Sequence, residues 1–147
     1  MAVTCKWSEQ FILETFTAEH DVTSDSLKAI LLDVSFPGYD AATMADYGDI
    51  STYEIATGYG YTQKTLELTT VATSIVSNKP TITADDIEWT ASGGAIEASI
   101  ACAIINDTHA SDTIVCCIEF GATYTPATGT KLKIGLTNGL ARATVNP

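Results

Sequence analysis

A Ser-His-Asp site needs an imidazole held between a hydroxyl and a carboxylate, and this chain of 147 residues offers two histidines, His20 and His109. Both sit in polar, turn-like segments where an imidazole is ordinarily solvated, and no Gly-x-Ser-x-Gly elbow is present. No nucleophile–base pair stands out, so no enzymatic activity is expected. The four cysteines, Cys5, Cys102, Cys116 and Cys117, contain no Cys-x-x-Cys pair. With so few histidines, a zinc site built from Cys and His is not expected. Cys116 and Cys117 are adjacent, so in a strand they point to opposite faces; Cys102 and Cys116 are spaced to face one another across neighbouring strands. All are read as small buried hydrophobes with free thiols.

Three further patterns invite a binding role. The run Gly58-Tyr59-Gly60-Tyr61-Thr62-Gln63-Lys64 lacks the third glycine of a dinucleotide fingerprint and the Gly-Lys-Ser/Thr of a phosphate loop. Glycines interleaved with tyrosines instead predict a tight packed loop. Asp85-Asp86, and Asn106-Asp107 with Asp112, supply the oxygen ligands calcium prefers, but without the calcium-loop spacing they are read as surface charge. No metal and no cofactor is therefore expected. Trp7, Trp89 and six tyrosines offer material for a carbohydrate-binding platform, with Tyr59 and Tyr61 on one face if their segment is a strand. Aromatic residues more often serve as core or interface anchors.

Charge narrows the partners. Eighteen acidic residues against seven Lys and Arg give a net charge of -11, and the cations are scattered. A phosphate backbone or an anionic membrane surface repels such a chain, so neither nucleic acid nor membrane is an expected partner. A basic patch on another protein attracts it. No segment reaches the roughly 18 uninterrupted apolar residues of a membrane span, and Met1 to Trp7 has no basic region followed by an apolar run, so synthesis in a cytosol is expected.

The elements that must position these residues are mostly strands, in one domain over residues 1–147. Ser8 is placed to cap a short helix whose apolar stripe is Phe11, Ile12, Leu13 and Phe16. That helix runs to about His20-Asp21, where a polar turn follows. Ser26 to Val34 reads as a central strand, broken at Phe36-Pro37-Gly38, and residues 41–47 read as one helical turn. Alternation then sets Leu66 and Leu68 on one face. It repeats in Ile96, Ala98, Ile100, Cys102 and Ile104, in Ile114, Cys116, Ile118 and Phe120, and in Leu132, Ile134 and Leu136. Each is expected to be a half-buried antiparallel strand. Asn138-Gly139 predicts a two-residue hairpin turn with Leu140 to Val145 returning. The fold class expected is mainly β: an antiparallel β-sandwich or barrel-like domain with a short N-terminal helix.

An ordered set of segments carries a resemblance. Lys6-Trp7 precedes the helix, and residues 25–32 (DSLKAILL) follow it. Residues 54–62 (EIATGYGYT) form the most distinctive stretch. Then come residues 84–94 (ADDIEWTASGG), 118–121 (IEFG) and 138–140 (NGL). In this order the chain resembles a family of small virion structural proteins of tailed bacteriophages. It departs from that family at Trp7-Ser8-Glu9, where a further aromatic and a glycine are usual, and at residues 105–108, which are usually more acidic.

The resemblance implies a capsid decoration (cement) protein that binds the assembled major capsid shell and resides on the virion surface. A tail or head-fibre adaptor is the alternative, and a carbohydrate-binding β-sandwich module is a second, from a different class. The family brings no catalytic residues. Shell symmetry suggests a homotrimer at three-fold or quasi-three-fold positions. The nominated contact residues are Trp7, Phe11 and the loop Phe36 to Tyr39, with Tyr59 and Tyr61 as second choices. The competing expectation is that Trp7 and Phe11 simply cover the core.

Overall fold

Alternating apolar residues on long strands dictate a central sheet, and the structure, a computed structural model, describes it within residues 3–146. Five strands pair antiparallel in the order β1 (Thr4–Trp7), β8 (Ile114–Tyr124), β7 (Ser99–Asn106), β2 (Leu27–Asp33), β3 (Leu66–Glu67). A second antiparallel sheet has the order β10 (Thr144–Asn146), β9 (Lys131–Gly135), β6 (Ile87–Thr90). A separate hairpin joins β4 (Ala72–Val76) to β5 (Lys79–Thr83). The fold is mainly β with a short N-terminal helix, as expected, and the sheets stay open rather than closing into a barrel.

The three middle strands are buried on both faces, not one. Leu27, Ala29 and Leu31 of β2, Cys102 and Ile104 of β7, and Cys116, Ile118 and Phe120 of β8 point into the larger core. There they meet Trp89, Leu132, Ile134 and Leu140 from the β6–β9–β10 side. The opposite parity carries Ile30, Leu32, Ala101, Ala103, Ile105 and Cys117 into a second core. That core is roofed by Phe36, Tyr39 and Ile50 from the segment between β2 and β3. A polar residue on the second face was the expected signature of half-burial, and small apolar residues stand there instead. The pairing of Ser99 with Tyr124 and Ala101 with Glu119 marks a register shift, so Ile100 packs on the second core rather than with Cys102. Cys116 and Cys117 do point to opposite faces, and all four cysteines are free.

Elsewhere local chemistry fixes the boundaries. Ser8 caps α1 (Glu9–Phe16) by accepting the Phe11 N–H at 3.2 Å. The helix stops at Phe16, four residues before the expected end, where Ala18 turns to a positive φ of 61°. The helical turn expected over residues 41–47 instead forms as α2 (Tyr47–Ile50). Asp49 there accepts the N–H groups of Ala45 and Asp46 and so fixes its start. The β4–β5 turn uses Ser77 and Asn78, both at positive φ (49° and 62°), as a two-residue hairpin requires. Asn138-Gly139 does not make such a turn. Strands β9 and β10 pair, but a 3-10 turn at Leu140–Arg142 intervenes, burying Leu140 against the core.

Candidate functional site

Of the residues nominated for contact, most are spent inside the fold. Phe11, Phe36, Tyr39 and Tyr61 are each no more than 5% exposed, so little of their side chains reaches the surface. Phe11 belongs to the core, and Trp7 is half-buried and packed against it. The loop from Phe36 to Tyr39 lines an open cleft of about 540 Å³ with Lys6 and Glu119. Glu119 there pairs with Lys6 at 3.0 Å and accepts the Tyr39 N–H at 2.7 Å. Tyr59 is exposed and covers Gly94.

The aromatic-glycine segment is a tight loop, as expected, but not a platform. Gly58 and Tyr61 exchange backbone hydrogen bonds across the turn (2.9 and 3.0 Å). Tyr61 turns inward, where its hydroxyl donates to Glu54 at 2.6 Å and accepts the Leu31 N–H at 3.0 Å. Burial and the Glu54 carboxylate push the Tyr61 phenol up, away from ionisation. Tyr59 and Tyr61 therefore do not share a face, which removes the sugar-stacking arrangement.

The most prominent exposed apolar surface comes from α1. An amphipathic helix would bury its whole stripe, but α1 buries Phe11 and Glu14. Ile12, Leu13 and Phe16 stay exposed, Phe16 by 84%. Trp7, Phe11, Ile12 and Phe16 line a cleft of about 420 Å³ whose far wall is Pro80 and Ile82 of the hairpin. On the same hairpin Ile75 is 74% exposed. Exposed apolar side chains gathered in one cleft are an uncommon surface feature. Sequence periodicity located the stripe but assigned it to the core. The signal missed was Glu14, the polar residue that the helix turns inward.

Glu14 turns inward because polar partners wait for it. Its carboxylate accepts from Gln10 at 2.6 Å, from the His20 ring at 2.8 Å and from the Thr113 hydroxyl at 2.9 Å. Burial alone raises the Glu14 carboxyl; these hydrogen bonds outweigh it and hold the carboxyl below its usual range. His20, expected to be solvated, has a fully buried side chain, and Asn106 faces its other nitrogen at 2.9 Å. The His109 ring lies 4.9 Å from that of His20. Ser111 Oγ stands 3.0 Å from His109 Nδ1, a hydroxyl–imidazole pair the sequence did not disclose. The geometry sets its chemistry. Thr113 gives its one proton to Glu14, so the Nδ1 contact at 2.9 Å is a proton donated to Thr113. A nitrogen that carries a proton does not take one from Ser111.

The acidic groups singled out in the sequence are met by local donors. Asp107 meets Lys28 and Lys64, and Asp112 meets Lys64 at 2.7 Å. Asp86 pairs with Lys133 at 3.0 Å and accepts the Leu136 N–H, and Asp85 accepts from Thr69 and Thr70. Among the described helices none is long and apolar enough to cross a membrane. No protein-family model, curated protein or solved structure matches the chain.

Proposed function

We propose that this protein is a capsid decoration (cement) protein of a tailed bacteriophage, acting on the virion surface by binding the assembled major capsid shell. The ordered sequence resemblance supplies the particle. The observation that carries the binding role is the outward face of α1, where Ile12, Leu13 and Phe16 are exposed beside the β4–β5 hairpin. Apolar side chains this accessible on a charged protein favour a partner surface over water. The net charge of -11 steers that surface to a basic region of the shell.

A protein that binds only the assembled lattice favours the lattice by mass action. Many copies on a symmetric shell, as trimers at three-fold or quasi-three-fold positions, multiply a modest contact energy. The test is co-sedimentation of the purified chain with empty expanded capsids of the phage that encodes it. Saturable binding that Phe16→Ser weakens while the fold is retained supports the reading. Binding confined to tails or to a single vertex favours a tail or head-fibre adaptor, and no binding to any particle overturns the proposal.

A further inference from the structure

The His109 ring points its Nε2 at a carboxylate. Thr113 has one hydroxyl proton and gives it to Glu14, so His109 Nδ1 carries the proton it shares with Thr113 and Ser111. His109 Nε2 then faces Oε2 of Glu19 at 3.4 Å. A carboxylate oxygen of Glu14, one of Glu19 and a ring nitrogen of His109 all lie within 4.8 Å of one another. Among the described ion pairs, neither glutamate is met by a lysine or arginine.

We propose that Glu14, Glu19 and His109 form a binding site for a divalent transition-metal cation of the zinc type. One imidazole with two carboxylates is a donor set that zinc accepts, with water completing the coordination. Ligand atoms around zinc stand about 3.3 Å apart, so the widest gap in the group must close by up to about 1.5 Å. Glu19, whose side chain is half exposed three residues past α1 and among the described residues accepts only from the Thr17 hydroxyl besides its His109 contact, supplies that movement.

The supporting shell is already built. Thr113 and Ser111 hold Nδ1 and aim Nε2 at Glu19, the arrangement that fixes a ligating imidazole. His20 and Thr113 hold one oxygen of Glu14; Asn106 in turn holds His20 and accepts the His109 backbone N–H at 3.4 Å. This donor set is neither a Cys–His zinc motif nor a calcium loop, and its histidine lies 90 residues from Glu19 in the chain. Such an ion ties the C-terminal end of α1 to the β7–β8 turn, next to the apolar face of the helix. The site stands whether or not that face binds a capsid.

The test is isothermal titration of the metal-free full chain with Zn2+ at neutral pH, repeated with Co2+ to read coordination from its visible absorption. One equivalent of Zn2+ is expected, with a Co2+ spectrum of four- or five-coordinate type. Glu19→Gln, a change at an exposed position that leaves the core intact, is expected to weaken binding by about tenfold or more. His109→Ala is expected to abolish it. No saturable binding, or equal binding by wild type and Glu19→Gln, overturns the proposal.

Discussion

Tyr61 donates its phenolic hydrogen to Glu54 at 2.6 Å across the floor of the larger core, and Glu54 is itself only 6% exposed. A carboxylate so placed must be met by donors, and it is: Tyr47 donates at 2.6 Å and the Lys64 N–H at 2.9 Å. The Tyr61 oxygen meanwhile satisfies the Leu31 N–H of the central strand. Tyr61→Phe keeps the ring, strands the Leu31 N–H and takes one of three donors from Glu54. A loss of about 1.5 to 3 kcal/mol is expected, read as a lower urea midpoint at unchanged slope. A midpoint equal to wild type would show that the pair does not hold the loop to the sheet.

Gly60 in the same loop sits at a φ of 100°, and a Cβ there would run into the Thr90 carbonyl oxygen. Gly60→Ala combines a backbone conformation costly for an L residue with a clash against fixed backbone. A destabilisation of about 2 to 3 kcal/mol is expected. Thermal unfolding checks it, and a melting temperature within a degree of wild type contradicts the loop geometry.

Acid stability should depend on Asp107. Lys28 beside it, with Lys64, holds its carboxyl below the usual range. A depressed carboxyl stabilises the fold above its unfolded pKa of about 3.9, and the stabilisation is lost as pH falls through the folded value, because the unfolded chain then binds the extra proton. Asp107→Asn should therefore flatten the fall in stability below about pH 4. Asp86, lowered by Lys133 and the Leu136 N–H, acts in the same window. A denaturation series in which wild type and Asp107→Asn fall in parallel would remove Asp107 from the account.

These residues also show what was legible in the sequence. The positions of β2, β7, β8 and β9, the Ser8 cap and the turn nature of the Gly58–Tyr61 segment follow from local patterns, and they form, whereas β1 and β4 are not among the expected strands. Burial on both faces of β7 and β8 did not follow, because Ala101, Ala103 and Cys117 look like the tolerant face of a half-exposed strand. Only the roof made by Phe36, Tyr39 and Ile50, distant in sequence, makes that face a core. The same non-locality hid the polar cluster. Glu14 reads as a solvent-facing helix residue and His20 as a loop histidine until Thr113 and Asn106 arrive from the other end of the chain. That inward turn of Glu14 is what rotates Ile12, Leu13 and Phe16 out to solvent.

Phe16 is the position where stability and binding should separate. At 84% exposure it contributes little to the core, so Phe16→Ser should change unfolding free energy by no more than about 0.5 kcal/mol. Capsid affinity should fall about tenfold or more if it is an interface anchor, since truncating an anchor costs about 2 kcal/mol. A large stability loss instead would mean that the ring covers the core.

Cryo-electron microscopy of empty expanded capsids incubated with the purified chain tests binding to the assembled shell. Ordered density is predicted on the shell at three-fold or quasi-three-fold positions, with the outer face of α1 turned toward the capsid protein. A bare shell, or density found only at the tail or one vertex, would contradict the decoration role.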